Sequence, residues 1–347
     1  MWLNLPSLRG RSVFVTGAYG LVGSWLVKAL LERGARVTVL KRDEVTTSAL
    51  VLEETERRVN VVRGDVCDPS LLERALGEYE VDTVFHLAAQ TIVGVASGAP
   101  LSTFETNIRG TWILLEACRH VGVARTIVAS SDKAYGAHDE LPYRESSALE
   151  PHHPYDVSKA ATDMLARSYW HTFGLPVAVT RFANVYGGGD FNFSRLVPEA
   201  VVAVVERRAP VIRSDGTPER DFLYVEDAVA AYLAICELLE DGRAAGEAFN
   251  AGSGDPRSVL EVVELVCALS GAGVSPDVRG TGTPAGEIGR QWVDSGKLRG
   301  SSGWEPKVGL EDGLRRTIAW YREHLPALPD AGITGPQSPR ARADHRG

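Results

Sequence analysis

The tightest constraint on the fold lies at the start of the chain. There an apolar run, "SVFVTG" at 12–17, passes through Gly17, Gly20 and Gly23 into the amphipathic stretch "LVGSWLVKALLERG" at 21–34. Between a strand and a helix, glycines so spaced have separate tasks: a tight turn, close approach of backbone to a bound group, and close packing of helix on strand. The helix N-terminus then faces that group with unpaired amides, which suits the pyrophosphate of a dinucleotide. Similar apolar runs recur at 36–40 ("RVTVL"), 59–65 ("VNVVRGD"), 82–89 ("DTVFHLAA"), 126–131 ("TIVASS") and 176–187 ("PVAVTRFANVYG"), separated by helical stretches. That alternation predicts βαβ units, hence an α/β fold with a doubly wound parallel sheet and helices on both of its faces. Gly34 and Gly122 are expected to close two of the helices.

From Gly187 onward the alternation fades into Gly/Pro-rich connections such as "YGGGD" and "AGSGDPRS". The expected organisation is a dinucleotide-binding domain over 1–186 with a returning segment at about 222–250. A smaller mixed substrate-binding lobe is expected from 187–221 and 251–325. Residues 326–347, rich in Pro, Gly and Arg without apolar period, are expected to be a disordered tail.

A chain of 347 residues has room for two such lobes, and its formal charge of −8 argues against a nucleic-acid binder. Cys67, Cys118, Cys236 and Cys267 show neither CxxC nor Cys/His ligand spacing, so no metal site and no disulfide framework is expected. With no signal-peptide pattern and no long apolar span, the expected location is the cytoplasm, with no membrane partner.

After the second apolar run, where an NAD site calls for an acid at the ribose 2′-hydroxyl, the chain reads Leu40, Lys41, Arg42, Asp43. Arg42 suits a 2′-phosphate; alternatively Asp43 takes the ribose while the two basic residues stay in solvent. NAD is the expected cofactor, with NADP left open. Tyr155 and Lys159, four apart on a predicted helix, project from one face. The lysine cation is expected to lower the phenol pKa so that the phenolate accepts a hydroxyl proton during oxidation of the carbon. His152 and His153, flanked by prolines, read as loop residues without chemistry.

Together with "HLAAQ" at 86–90, "NIRGT" at 107–111, "SSDKAYG" at 130–136, "RFANVYG" at 181–187 and "RDFLYVEDA" at 220–228, these motifs carry a resemblance. The chain resembles the extended short-chain dehydrogenase/reductases that act on nucleotide sugars, the epimerases and 4,6-dehydratases, up to about residue 325. The resemblance implies a nucleotide-diphosphate sugar as substrate, and a homodimer through helices at 100–121 and 156–173. It implies cofactor contacts by Gly17, Tyr19, Gly20, Leu21, Val22, Arg42, Asp43, Asp65, Val66, Leu87, Ala88, Ala89, Gln90, Asn107, Tyr155 and Lys159. It further implies that Ser131 bonds the reacting sugar oxygen and that Asn184, Arg195, Arg220 and Arg290 hold the substrate, the arginines matching phosphate oxygens as forks.

Asp132 and Lys133 bear on the reaction. A 4-epimerase needs only C4 oxidation and reduction, whereas a 4,6-dehydratase also needs a base for the C5 proton and an acid for the C6 hydroxyl. The Asp-Lys pair after Ser131 resembles that of CDP-glucose 4,6-dehydratases, and the expected function is an NAD(P)-dependent nucleotide-sugar 4,6-dehydratase. A 4-epimerase, a UDP-glucuronate-type decarboxylase, and a catalytically inactive dinucleotide-sensing protein stand as alternatives.

Overall fold

The computed structural model describes residues 8–282 and 288–327. Apart from Pro326 and Ala327, the tail expected from 326 onward lies outside these residues.

Seven parallel strands form the central sheet: β1 (Ser12–Thr16), β2 (Arg36–Lys41), β3 (Asn60–Arg63), β4 (Thr83–His86), β5 (Arg125–Ala129), β6 (Val177–Phe182) and β11 (Ala248–Ala251). Their order is β11-β6-β5-β4-β1-β2-β3. β1, β4, β6 and β11 are buried along their whole length, which is why their sequences are continuous apolar runs rather than alternations. Alternate residues still feed opposite cores. Val13 and Val15 pack beneath the helices Leu21–Glu32 and Val225–Glu240, and Phe14 packs on the other face with Pro69–Glu78 and Gly110–Val121. Gly122 closes the last of these helices at φ 81°, and Gly34 follows the first at φ 80°.

The run at 176–187 is not one strand. Ala183 still donates its amide to Ala251 of β11, but the next amide, that of Asn184, donates to Asp221 instead. The chain thereby leaves the central sheet, and β7 (Asn184–Tyr186) pairs with β10 (Phe222–Tyr224). Two further small sheets follow: β8 (Val211–Ile212) with β13 (Asp277–Val278), and β9 (Glu219–Arg220) between β12 (Arg257–Ser258) and β14 (Arg290–Gln291). A second apolar cluster joins β7 and β10 to the helices Leu196–Val205, Val259–Ser270 and Leu310–His324. Among the described residues no helix is long and apolar enough to cross a membrane.

β1 lies between β2 and β4, so the strand order reverses there and a crevice opens at the carboxyl ends of the strands. The glycine turn after β1, the Leu87–Gln90 segment after β4 and the Ser131 turn after β5 leave the sheet at that end.

Candidate active site

The glycine turn divides its labour among its three glycines. Gly17 sits at φ 70°, and a Cβ there would lie 2.6 Å from the Leu87 backbone carbon, so the turn is pressed against the end of β4. A Cβ on Gly23 would lie 2.1 Å from the Gly17 carbonyl oxygen; only glycine lets this helix pack so close to the strand. Gly20 differs, since its backbone is extended at φ −81° and a Cβ would meet nothing nearer than the Gly17 oxygen at 3.4 Å. Its Cβ position points into open space in front of the helix. The first-turn amides of Leu21, Val22 and Gly23 have no acceptor within the helix, while the side chains of Leu21 and Val22 pack into apolar clusters. Such a cradle fits a dinucleotide pyrophosphate. Across the crevice Leu87, Ala88, Ala89 and Gln90 run half-buried past Gly17, with the Leu87 and Ala88 amides bonded to Thr16.

At the far end of β2 the arrangement departs from expectation. Lys41 is not in solvent: it is buried and ion-paired with Glu44 at 3.0 Å and Glu56 at 2.9 Å. Tyr19 donates its hydroxyl to the same Glu56 at 2.5 Å. Arg42 and Asp43 are exposed and paired with each other at 2.7 Å. Asp65 uses Oδ1 to accept the Cys67 amide at 2.8 Å, a strand-end turn, and Val66 is buried where a Cβ on Gly110 would touch it.

Asn107 is placed inside the protein rather than on the crevice surface. It lies in a π-helical turn, Glu105–Arg109, and is 1% exposed. Its Oδ1 accepts the Gln90 amide at 2.7 Å, and its Nδ2 donates to the Gln90 carbonyl and to Ser158 Oγ at 2.9 Å. Ser158 in turn donates to the Tyr155 carbonyl. With both ends of its amide engaged, Asn107 ties the Leu87–Gln90 segment to the helix that carries Tyr155. His86, a buried residue of β4, continues the network from Thr16 to Thr111, and burial pushes its imidazole down to about 3, so it stays neutral.

Tyr155 and Lys159 occupy the first turns of the helix Pro154–Phe173, which starts with proline at its first position. Both are buried. Lys159 Nζ donates to the Ala129 carbonyl at 2.8 Å, and Ser130 Oγ donates to the Lys159 carbonyl, fastening the helix to the end of β5. Burial lowers the Lys159 ammonium to about 8 and raises the Tyr155 phenol to about 12. Arg195 and the Ser131 hydroxyl counter the rise.

Ser131 caps the turn Asp132–Tyr135, accepting the Lys133 amide at 3.2 Å and donating to Asp132 Oδ1 at 3.0 Å. Asp132 is 2% exposed, and its Oδ2 has no hydrogen-bond partner among the described residues. Burial pushes this carboxyl up to about 6 against the pull of Lys133, the Ser131 hydroxyl and Arg220. Lys133 Nζ donates to Gln291 Oε1 at 3.4 Å. Gln291 pairs in register with Arg220 across β14 and β9, so the small sheet closes over the Asp132 turn.

Of the expected substrate residues, Arg220 donates to the Glu219 and Gly289 carbonyls beside that turn, and Asn184 donates to the Asp221 carbonyl at 3.4 Å. Arg195 pairs with Asp190 at 3.0 Å and faces Tyr155 electrostatically. Arg290 is exposed, paired with Glu219 at 2.8 Å and stacked on Trp292. Residue patterns missed Gln291 and the His86–Asn107 network. The signal for the latter was a histidine ending an apolar strand; for Gln291 there was none beyond its place next to Arg290.

The family model of the NAD dependent epimerase/dehydratase family matches residues 13–252. The chain is 34% identical to a dTDP-glucose 4,6-dehydratase of Streptomyces niveus, over 90% of this chain and 93% of the relative. It is 30% identical to the human dTDP-D-glucose 4,6-dehydratase, over 93% of each. Among solved structures it resembles DesIV, the dTDP-glucose 4,6-dehydratase of Streptomyces venezuelae solved with NAD bound. The TM-score is 0.82 at 32% identity, covering 92% of this chain and 99% of that one. It is equally similar to the UDP-glucose 4-epimerase of Thermotoga maritima, with TM-score 0.83 at 30% identity, covering 90% and 99%. The Rossmann-type sheet, the glycine cradle and these relationships agree: the chain is an enzyme of the NAD-dependent epimerase/dehydratase family.

Proposed function

We propose that the enzyme is a nucleotide-sugar 4,6-dehydratase acting on a nucleoside-diphosphate glucose. The observation that carries this function is Asp132, a carboxyl buried beside Ser131, lifted to about 6, with one oxygen unpartnered. A carboxyl so placed is available as a proton donor near neutral pH, which elimination requires and C4 epimerisation does not. Gly17, Gly20 and Gly23 would hold NAD, which when bound would supply hydride acceptance from C4 and hydride return to C6. Tyr155 accepts the proton of the C4 hydroxyl as the phenolate, the form that Arg195 and Ser131 favour against burial, with Ser131 bonding that oxygen. Lys133 removes the acidified C5 proton, Asp132 protonates the C6 hydroxyl as it leaves as water, and Lys133 finally returns its proton to C5. The proton gained by Tyr155 balances the one Asp132 gives up, and Ser131, set between them, connects the two. Arg220 and Arg195 serve the diphosphate, with Asn184 and Arg290 at its edge.

The relatives' names favour dTDP-glucose, and the Asp-Lys pair favours CDP-glucose. The structural likeness to the Thermotoga epimerase keeps a 4-epimerase as the second reading. Incubation with dTDP-, UDP- and CDP-glucose followed by product mass separates them: loss of one water marks the dehydratase, unchanged mass with altered retention the epimerase. Leu101, Trp112, Met164 and Phe173 are exposed on the helices 100–121 and 154–173, which supports assembly as a homodimer through that face. Four cysteines without a disulfide support a cytoplasmic location.

A further inference from the structure

Gln291 is fully buried, yet its side-chain amide is only half satisfied. Successive residues of a strand face opposite sides, so in the two-residue β14 Arg290 is turned to solvent and Gln291 inward, toward the turn that carries Asp132 and Lys133. The lysine ammonium can only donate, so the atom facing Lys133 Nζ at 3.4 Å is the amide oxygen, and this fixes which way the amide points. Its Nε2 is then directed elsewhere and has no partner among the described residues. Five buried side-chain polar atoms there are unpartnered, and two of them, Gln291 Nε2 and Asp132 Oδ2, belong to residues flanking Lys133. An apolar side chain of similar volume would fill this place without leaving a buried donor unmet, so packing alone does not account for a glutamine.

We propose that Gln291 is the positioning residue for Lys133, its amide oxygen seating the lysine amine for C5 deprotonation and its NH₂ group turned to a hydroxyl of the bound sugar. This inference rests on the dehydratase function proposed above.

The choice of an amide over an acid has a chemical reason. Lys133 already faces Asp132 on its own turn and Asp156 on the helix Pro154–Phe173, with Arg220 and Asp221 beyond Asp132. A carboxylate at 291 would add another negative charge at the amine and hold it as ammonium, unable to act as base. An amide oxygen accepts an N–H from the ammonium and from the neutral amine alike without adding charge, and it leaves the lone pair of the neutral amine free for the C5 proton. It therefore serves both protonation states of one catalytic cycle.

The test is the pH profile of water loss from dTDP-, UDP- and CDP-glucose, with reduced-cofactor absorbance followed in parallel. Gln291→Glu should move the rising limb of the elimination rate upward by about one pH unit or more and slow water loss about tenfold or more at neutral pH, a larger factor than the one by which C4 oxidation slows. Gln291→Met, of similar volume and no charge, should slow elimination at every pH without moving the limb upward; it carries the test if the glutamate variant fails to fold. An unmoved limb in a folded Gln291→Glu, or full elimination by Gln291→Met, overturns the assignment of Gln291 and leaves the dehydratase function standing. Absence of water loss from all three sugars with the wild-type enzyme overturns both.

Discussion

The glycine turn at 17–23 and the pocket around Asp132 sit at the same end of the sheet but are made in opposite ways. In the turn each requirement is set by close backbone contact: Gly17 against the Leu87 backbone at the end of β4, Gly23 against the Gly17 carbonyl, with Gly20 open to solvent. The pocket draws on 131–133, 155–159, 195, 220 and 291, and it leaves Asp132 Oδ2 and Gln291 Nε2 buried without partners. Backbone geometry, with Ser24 Oγ donating to the Ala18 and Gly20 carbonyls, secures the binding turn. The reacting groups depend on remote support and are held at a cost to stability.

The sharpest way to break that contrast is to remove support far from the chemistry. Arg181, 1% exposed, donates to both oxygens of the fully buried Asp163, at 2.7 and 3.0 Å, and to the Tyr135 hydroxyl at 3.0 Å. Tyr135 ends the turn that begins at Asp132. Arg181→Met leaves the buried Asp163 with Arg167 at 4.0 Å in place of the forked pair, and should cost about 3 kcal/mol in denaturant unfolding while depressing turnover. Unchanged turnover in the folded variant would mean the pocket does not need this support.

Next in size is an expected gain. The Asp132 carboxyl is raised from its ordinary 3.8 to about 6, so between those values the folded state binds more protons than the unfolded chain, and stability falls as pH rises through the window. Asp132→Asn should therefore stabilise the enzyme by roughly 2–3 kcal/mol above pH 6, and the gain should vanish below the lower value. Unfolding free energies at neutral and acid pH decide it; equal stability at both would remove the cost assigned to this residue.

The smallest effects on stability separate the glycines from one another. Gly23→Ala forces the helix off the strand and should cost about 1–3 kcal/mol. Gly20→Val, at an extended backbone in open space, should change stability by less than about 1 kcal/mol yet empty the cofactor site. Thermal melts with and without added NAD measure both. A Gly20→Val protein that still binds NAD normally would make the turn structural only.

The same contrast explains what was legible in the sequence. The sheet and the turn could be read because apolar runs and glycine spacing are local signals, and Tyr155, Lys159 and the Ser131–Lys133 segment because each is a contiguous motif. β11 escapes as a run because it is short and contains Asn250, whose side chain bonds Tyr135 and Tyr143. The break at Ala183 depends on which strand offers the next carbonyl, a long-range matter. Lys41 looked solvated because Glu56 reaches it only after the chain has folded back, and the partners of Asn107, Gln90 and Ser158, lie on other segments and carry no local signal. Gln291 shows no pattern at all; burial against Lys133 alone gives it meaning.

The most direct test of the dehydratase function is a single turnover of Lys133→Ala and Asp132→Asn, each with the sugar nucleotide the wild type consumes, followed in the reduced-nicotinamide absorbance band with product mass at the end. Both residues are assigned to steps after C4 oxidation, so the absorbance should rise as in the wild type and then persist, with no water lost from the sugar. If both variants instead lose water with wild-type amplitude and rate, the acid and base roles of Asp132 and Lys133 are wrong; if they and the wild type return an unchanged-mass mixture of C4 epimers, the enzyme is an epimerase.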